Sequence, residues 1–472
     1  MTRINTNVPA IVAMGRFRNN TSDLYTRLER LSTGLRINRG KDDPAGLIAS
    51  EGLRKEMRGL QAAISNTQRA INVISVAEGS LNEVSALLLD LKALVLDIAN
   101  EGAVSAEEVY ADQLEIDAIL SSIDRIANTT TFAGKKLLNG ALGYQISGIT
   151  TTEIAHTSVY AAQITEGGAK QVVLEVQSAA ELAHLAFAAL STSATTVEVS
   201  GRLGVDILSF QSGATQADIA QAINGITDST GVQAIVSTDG QLHLLSTEFG
   251  TDAFVSVRSV TGTFMNTTAA GTTTRDVGFD PIVIVNGQLA NTKGLRVDTR
   301  TQGLEARFYL TSGFATGAAT STFHITGGGA LFQITPQVNL QGQLQIGIDS
   351  ISTANLGNTV TRFLSDIRSG GAFEVARGNY MKAEEIITEA INQIASLRGR
   401  LGAVQKQKME TNINSQQIAY ENVTASESAI RDADYAVEVS ALTRAQILIQ
   451  GTQLTLSVAQ QVPQTALGLL GG

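Results

Sequence analysis

Two long runs of apolar residues at helical spacing, one near each end of the chain, constrain the fold most. In the N-terminal run the steps alternate between three and four residues, giving Leu81, Val84, Leu88, Leu91, Val95 and Ile98. This 3.5-residue period predicts a helix with a narrow apolar seam. A lone rod cannot bury such a seam, and the C-terminal stretch has a matching stripe, Ile387, Ile391, Ile394, Leu397, Leu401 and Val404. We therefore expect a mainly α-helical bundle core formed by the paired N- and C-terminal flanks.

Local signals place the boundaries of the N-terminal helices. The first long helix should run from about residue 45 to 100, which is roughly 80 Å at 1.5 Å per residue. Ser105 and Glu108 form a capping box that predicts the start of a second helix. The segment from Thr129 to Gly140 then interrupts the helical pattern.

The two ends of the chain have sparser apolar stripes at helical spacing. The N-terminal stripe is Leu24, Leu28, Leu31 and Leu35, and the C-terminal stripe is Tyr435, Leu442, Ile449 and Leu456. From Ala445 to Gly472 there is no charged residue, yet the many Gln and Thr side chains are too polar for a membrane span. A chargeless amphipathic helix fits burial among copies of the same chain, where an unpaired charge would be costly. Because each end has little apolar mass, we expect 1–40 and 435–472 to lack an adequate intramolecular partner and to become ordered only in an oligomer.

The middle of the chain differs from its flanks in charge and in pattern. Residues 141–355 hold 16 acidic and 8 basic residues, a net charge of −8, which leaves −10 − (−8) = −2 for the rest. Alternating and β-branched runs predict strands at 195–201, 205–210, 322–326, 331–335 and 343–348, and Asp239-Gly240 and Asn286-Gly287 predict hairpin turns. We expect one or two compact β-rich domains inserted between the helical flanks.

The composition and motifs argue against several classes of protein. A net charge of −10 disfavours nucleic-acid binding, and the absence of Cys excludes disulfides and thiolate metal sites. No HExxH motif and no GxxxxGK[ST] loop occur, so the sequence gives no catalytic residues, no metal ligands and no cofactor. An enzyme carried in the insert stays open as an alternative.

Two motifs resemble bacterial flagellin: residues 31–47 read LSTGLRINRGKDDPAGL, and residues 430–439 read IRDADYAVEV. The opening TRINTNV at 2–8, the hairpin FAGKKLLNG at 132–140 and the ending QVPQTALGLL at 461–470 are similar to the same family, except that Ala133 stands where the family usually has Asn. The resemblance covers about 1–140 and 356–472. A weaker likeness at about 195–260 is to a module often inserted in flagellins.

The resemblance implies a subunit that polymerises into the flagellar filament for swimming motility, secreted through the flagellum's own channel to an extracellular location. Its partners would be further copies of itself, the flagellar export apparatus, a flagellin chaperone, and the filament cap and hook-junction proteins. It implies terminal filament-core helices at 1–44 and 434–472, a helical wall domain at 45–143 and 356–433, and an outer insert at 144–355 with its module near 195–260. The positions we expect to act in assembly are Arg36, Asn38, Asp42, Asp43, Ala45, Gly46, Arg431, Asp432, Asp434, Glu438, Leu442, Ile449 and Leu456.

Two other functions stay open beside the filament subunit. The hook–filament junction protein has similar ends, although the complete terminal motifs favour flagellin. The insert could also add adhesion, since Phe210, Tyr309 and Phe314 supply a few aromatic side chains there.

The resemblance also bears on recognition by animals. Flagellins recognised by the Toll-like receptor for flagellin share a helical patch, Gln-Arg-x-Arg-Glu-Leu. The corresponding positions here are Leu89, Asp90, Leu91, Lys92, Ala93 and Leu94. Asp90 reverses the charge of the first Arg, and Lys92 keeps the second charge without the planar fork of a guanidinium. We therefore expect weak recognition by this receptor.

Overall fold

The computed structural model describes residues 6–100, 102–164, 168–187, 194–237, 240–262, 264, 274–301, 303–359 and 361–470, with 462–470 as backbone. Its helices are α1 (Val8–Thr33), α2 (Pro44–Ile98), α3 (Ala106–Thr129), α4 (Gln216–Asn224), α5 (Thr227–Thr230), α6 (Ser312–Ala315), α7 (Tyr380–Val404), α8 (Thr411–Arg431) and α9 (Tyr435–Leu470). Its strands are β1 (Thr131–Phe132), β2 (Lys135–Lys136), β3 (Tyr144–Ser147), β4 (Ile154–Ala162), β5 (Lys170–Ser178), β6 (Leu182–Phe187), β7 (Thr195–Gly201), β8 (Val205–Phe210), β9 (Val232–Val236), β10 (Leu242–Phe249), β11 (Phe254–Thr261), β12 (Arg275–Val277), β13 (Ile282–Val285), β14 (Gln288–Leu289), β15 (Asn291–Lys293), β16 (Arg296–Thr301), β17 (Leu304–Leu310), β18 (Thr320–Gly328), β19 (Ala330–Gln333), β20 (Gln343–Ile346), β21 (Gly357–Asn358) and β22 (Arg362–Phe363). The predicted fold class, helical flanks around a β-rich insert, is confirmed.

The chain forms two compact units. The first combines Met1–Arg69, Gln333–Val338 and Gln407–Gly472, and the second combines Ala70–Phe332 and Asn339–Lys406. Helix α2 contributes its first half to one unit and its second half to the other.

In the first unit, α1 packs against α9, while α2 and α8 are joined by polar contacts. Ser50 on α2 donates a hydrogen bond to Glu427 on α8 at 3.0 Å, and Arg431 forms an ion pair with Glu51 at 3.3 Å. Because these contacts join residues almost 400 positions apart, they fix the N-terminal flank against the C-terminal one within the unit.

A short segment from the middle of the chain, Gln333–Val338, also belongs to the first unit. The carbonyl of Ile334 accepts a hydrogen bond from the buried Gln416 on α8. A Cβ placed on Gly59 of α2 would lie 3.1 Å from Pro336, so the segment rests closely on the helix. The predicted insert, 144–355, therefore includes six residues, 333–338, that pack with α2 and α8 rather than with the β-rich region.

The second unit contains the seam predicted in α2, and it is almost completely buried: Leu81, Val84, Leu88, Leu91, Val95 and Ile98 are each at most 1% exposed. Helix α3 begins at the predicted capping box, with Ser105 and Glu108 bonded reciprocally. Buried Gln113 of α3 donates to the carbonyl of Ile367 and accepts from the amide of Ala376. The C-terminal flank is irregular before Tyr380, because 357–377 holds the short β21–β22 pair and two 3₁₀ turns.

The described residues of the insert form two separate hydrophobic cores. The first lies between a five-stranded sheet, β14-β13-β5-β18-β3, and a four-stranded sheet, β15-β16-β17-β4. Inward-facing residues such as Leu174, Val283, Phe308 and Phe323 fill it. Their alternation along each strand is the period of a sheet with one buried face.

The second core lies between sheets β6-β10-β9 and β12-β11-β7-β8 and is covered by α4. Strands β7 and β8 have the predicted bounds, and α4 begins at the capping box of Thr215 and Asp218. Strands β9 and β10 pair as the predicted hairpin requires, although Asp239 of its turn lies outside the described residues. The second predicted turn is present, with Asn286 and Gly287 both at positive φ.

The β1–β2 hairpin has an alanine in an unfavourable conformation. Ala133 lies at φ 48° and is followed by Gly134 at φ 81°. The left-handed region costs an L-residue with a Cβ about 1–2 kcal/mol, and Asn tolerates it better because its side chain bonds locally. The family's usual Asn is the residue that this turn favours.

Replacing Ala133 should therefore stabilise the protein. We expect Ala133→Asn to raise the free energy of unfolding by about 0.5–1 kcal/mol in urea denaturation. Ala141→Asn, in a neighbouring turn with negative φ, is the matched control and should have no such effect. Equal effects of the two changes would show that Ala133 carries no strain.

Candidate functional site

The pairing of the two terminal helices, α1 and α9, places residues from the two ends of the chain side by side. The α9 positions that lose exposure step by four and three along one face: Glu438, Leu442, Ala445, Ile449, Thr452, Leu456 and Ala459. The α1 positions do the same: Ala10, Ala13, Phe17, Asn20, Leu24, Arg27 and Leu31. The seam predicted by Leu442, Ile449 and Leu456 thus packs against α1. Two members of the predicted stripes were wrong, because Tyr435 and Leu28 are exposed.

This pairing corrects one expectation from the sequence. We expected the terminal seams to lack an intramolecular partner, but α1 is that partner for α9. The apolar side chains that it buries below one-tenth exposure are small ones, Ala13, Ala445 and Ala459, while Ile449 is only half-buried. The spacing of the apolar residues predicted the seam, but it does not identify the helix that packs against that seam.

An ion-paired cluster lies inside this seam. Glu438 is 5% exposed, and its two carboxylate oxygens accept hydrogen bonds from Arg27 and Arg30 at 3.0 Å each. Burial of Glu438 raises the pKa of its carboxyl, but the bonds from the two guanidinium groups outweigh it and the pKa is lowered. The bond to Glu438 correspondingly raises the pKa of Arg27.

The turn after α1 is bonded to the link between α8 and α9. Gly34 ends α1 in the left-handed conformation, and its carbonyl accepts from the amide of Ala433 at 2.9 Å. Arg36 donates its amide to the carbonyl of Arg431 and its guanidinium to the carbonyl of Ile430. Leu35 and Asp432 form an antiparallel bridge. The two motifs that resembled flagellin therefore meet in the fold.

The remaining motif residues shape the turn into α2. Asp42 accepts the amides of Asn38 and Arg39, and the Arg39 amide bond is the main reason that its pKa is lowered. Asp43 caps α2 by accepting from the amide of Gly46 at 2.9 Å.

Gly46 itself is required by space. A Cβ on it would lie 2.5 Å from the Asp43 carboxylate and 2.7 Å from Ile37. Ala45 is exposed in the first turn of α2, and Asp434 caps α9 through the amides of Ala436 and Val437.

The terminal helices also expose a second apolar surface, which we call the outer face. Its large apolar side chains are Val8, Ile11, Val12, Met14, Tyr25, Leu28, Tyr435, Val437, Val439, Ile447, Leu448, Leu454 and Val458. Ile447 is 62% and Leu454 69% exposed. So many large apolar side chains left exposed on two helices are what an interaction site presents.

The positions that correspond to the receptor-recognised patch of other flagellins, which we call the receptor patch, lie on α2 in the second unit. Leu89, Asp90 and Ala93 are exposed, Leu91 is buried and Leu94 is half-buried. Lys92 forms an ion pair with Glu384 on α7 at 2.6 Å and donates to Thr388. Its charge is therefore already engaged within the chain.

Sequence reasoning missed the partners of two motif residues. Arg27 and Arg30 hold Glu438, and Glu51 and Glu427 pair with Arg431. The spacing of Arg27 and Arg30 beside Leu24 and Leu31 was a usable signal, because it places both cations along the predicted apolar stripe. In the part of the chain that the structure describes, no group of three His, Asp or Glu could hold a metal ion. None of the described helices is long and apolar enough to span a membrane.

Family comparisons agree with these elements. The model of the bacterial flagellin N-terminal helical region matches residues 4–142, that of the C-terminal helical region matches 385–470, and the flagellin hook IN motif matches 196–248. The last of these falls on the second core of the insert.

Several curated flagellins match along their whole length. Flagellin D of Vibrio cholerae is 30% identical over 480 residues, and flagellin D of Vibrio anguillarum is 31% identical over 470 residues. Each alignment covers 99% of this chain and 99% of the relative. Among solved structures, FliC from Burkholderia pseudomallei is 15% identical, with a TM-score of 0.25, 71% of this chain covered and 98% of that chain covered.

The helical ends, the meeting of the two terminal motifs and these full-length matches define a self-assembling structural protein. The chain belongs to the flagellin family. It is a subunit of the bacterial flagellar filament and serves motility, as flagellins do. The expectation of a filament subunit is confirmed.

The buried carboxylate gives a direct test of the α1–α9 pairing. Glu438→Gln should weaken the pairing by about 2 kcal/mol, because Arg27 and Arg30 lose their charged acceptor while partly buried. Amide exchange along α9 of the monomer should speed up by roughly 30-fold. The lowered pKa of Glu438 means that its contribution is present at neutral pH and is lost only as the pH falls below the ordinary range of a glutamate.

Glu29→Gln is the matched control for this change. Glu29 pairs with Arg39 at 2.9 Å, but the Arg39 side chain is 62% exposed, and such pairs contribute about 0–1 kcal/mol. If both substitutions speed exchange equally, the buried cluster has no special part in the pairing.

Proposed function

We propose that the α1–α9 pair is the polymerisation element of this filament subunit, and that its outer face packs against neighbouring copies. The observation that carries this is the row of large apolar side chains left exposed on both helices after they have packed on each other. Burying apolar surface releases about 25 cal/mol per Å², so such a face favours association.

The distribution of charge supports the same proposal. The sequence has no charged residue from Ala445 onward, so a copy packed on this part of α9 would bury no unpaired charge. The flanks are nearly neutral, at −2, and can stack without strong self-repulsion, whereas the insert at −8 suits contact with water. We propose that 1–44 and 434–472 form the filament core and that 45–143 and 356–433 form the wall. The insert between them is the outer region, apart from 333–338.

We propose that the motif residues act in assembly by holding the start of α2 and the α8–α9 link in fixed register. Arg36, Asn38, Asp42, Asp43 and Gly46 define one side of this junction, and Arg431, Asp432 and Asp434 define the other. A rigid junction sets the direction in which α1 and α9 leave α2 and α8, and a helical polymer needs that direction to be the same in every copy.

We further propose that the outer face meets other partners before assembly. A flagellin chaperone would cover this apolar surface on the way to the flagellar export apparatus, and the filament cap and hook-junction proteins would meet it at the filament ends. The chain is then a structural protein without an enzymatic activity of its own. Apolar surface that neighbouring copies cover only after polymerisation is a hazard for aggregation before it, and a chaperone that covers this surface would prevent that aggregation.

A charge on the outer face should stop polymerisation. Ile447→Asp would place a carboxylate where a neighbouring copy packs, at a cost of several kcal/mol if it is left unpaired. We expect a folded monomer, unchanged in circular dichroism, that forms no filaments in electron microscopy after salting-out. Leu289→Asp makes the same change at a side chain that is 74% exposed in the insert, and it should polymerise normally. Filaments from Ile447→Asp would exclude the outer face from the contacts between copies.

Recognition by the animal receptor should be weak, and substitutions in the receptor patch should restore part of it. Losing a central Arg costs about 2 kcal/mol, which is roughly 30-fold in response, and Lys92 cannot replace it while it is paired with Glu384. We expect Asp90→Arg with Ala93→Glu to restore part of the signal in a receptor reporter-cell assay, because both positions are exposed. Glu83→Arg, exposed two turns earlier on the same helix, is the control for added positive charge. A response that rises equally with the control would assign the gain to net charge rather than to the patch.

A further inference from the structure

A polar cavity of about 400 Å³ lies in the second unit, between the first sheets of the insert and α7. Its walls include Thr157 and Tyr160 of β4, Arg307 of β17, Asp349 in the loop after β20, and Arg400 of α7. This volume is within the range of small-molecule sites. None of these residues belongs to the terminal helices or to the receptor patch.

Arg400 is the most unusual group in the cavity. Its guanidinium carbon lies 3.3 Å from the centre of the Tyr160 ring, and its Nε is buried without a hydrogen-bond partner. Among the residues that the structure describes, no carboxylate lies within ion-pair distance of it. Arg307 differs, because it already forms an ion pair with Asp298 at 2.7 Å. Arg400 therefore offers a planar set of donors to the cavity.

Asp349 is the complementary group. It lines the same cavity and interacts with Arg400 through their charges, yet the two do not come within 4 Å of each other, and the described residues give the Asp349 carboxylate no hydrogen bond. Burial raises the pKa of Asp349 to about 6, against a smaller lowering by Arg400. The two charged groups therefore line one cavity without forming an ion pair with each other.

Two neutral groups nearby are also unsatisfied. The Thr157 hydroxyl is buried without a partner, and the Tyr160 hydroxyl has no hydrogen bond to any described residue. The other titratable groups around the cavity are already engaged or neutral. Tyr144 bonds the backbone of Ala162, Tyr309 donates to Glu389, and burial lowers the pKa of His156. Buried polar groups without partners in a roomy site are typical of a place that a polar ligand fills.

We propose that this cavity binds a small zwitterion of the amino-acid type, with its carboxylate on Arg400 and its ammonium group on Asp349. A simple anion would meet Arg400 but also face Asp349, and a simple cation would meet Asp349 but also face two guanidinium groups. A ligand with both charges pairs with Arg400 and with Asp349 at the same time. The guanidinium fork suits a carboxylate in particular, because it can donate two parallel hydrogen bonds. The hydroxyls of Thr157 and Tyr160 would then bond the polar remainder of the ligand.

The ligand itself provides the first test. The full-length monomer would be titrated with each of the common L-amino acids by isothermal calorimetry at pH 7.5, together with the N-acetyl and amide forms of any that bind. We expect at least one amino acid to bind with a Kd of about 1 mM or tighter, as suits a ligand of about 6 to 10 heavy atoms. Each blocked form should bind at least about 10-fold more weakly, because one charged contact is lost. Failure of every amino acid to bind at 10 mM would overturn the proposal, as would equal binding of the blocked forms.

Substitutions in the cavity provide the second test. Arg400→Gln should weaken binding of the free amino acid by at least about 10-fold but leave the already weak amide form, which has no carboxylate, unchanged. Asp349→Asn should also weaken binding of the free amino acid by at least about 10-fold. It should leave binding of the N-acetyl form, which has no ammonium group, unchanged. Arg398→Gln is the matched control, since Arg398 lies on the same helix, also has a buried unpartnered Nε, and does not line the cavity. Wild-type affinity in both cavity variants would overturn the assignment. The blocked ligands test it even if a variant fails to fold.

Discussion

The structure depends on burial of the narrow apolar seams of its long helices, which a single helix cannot bury by itself. The seam of α2 has no exposed member between Leu81 and Ile98, and burying it releases free energy only where another element covers it. The same need recurs at the ends of the chain, where α1 and α9 cover one another's seams. The α1–α9 pair and the ion pair of Lys92 on α2 with Glu384 on α7 join residues hundreds of positions apart, so the two flanks fold together and the residues between them form an insert.

The terminal pair satisfies this need only in part. Its most deeply buried apolar side chains are alanines, whereas the isoleucines and leucines of its outer face remain exposed. The pair gains specificity from one buried carboxylate held by two arginines, which fixes α9 along α1. A structural subunit of a filament benefits from this arrangement, since strong pairing within one chain would leave little surface for contacts between chains.

The insert follows separate rules and folds around its own two cores. Its strands alternate between buried and exposed positions, and its turns use the residues that positive φ favours. Ala133 and Arg362, which have positive φ without being Gly or Asn, lie in short hairpins on either side of the insert. The cavity lined by Arg400 and Asp349 is a place where this consistency fails, because polar groups stay unpaired there. Unpaired buried polar groups reduce the stability of a fold, and they are expected at functional sites.

The sequence by itself determined the helical flanks, the bounds of α2 and α3, the capping boxes, and the strands β7 and β8, because period and local hydrogen bonding act over a few residues. The terminal motifs also indicated the family, and they placed Arg36, Asp43 and Arg431 among the candidate site residues. Only the tertiary structure decided that α1 fills the seam of α9, that Arg27 and Arg30 hold Glu438, and that 333–338 packs on α2 and α8. These contacts join residues dozens to hundreds of positions apart, and their partners are chosen by shape and charge in three dimensions, which no local pattern records.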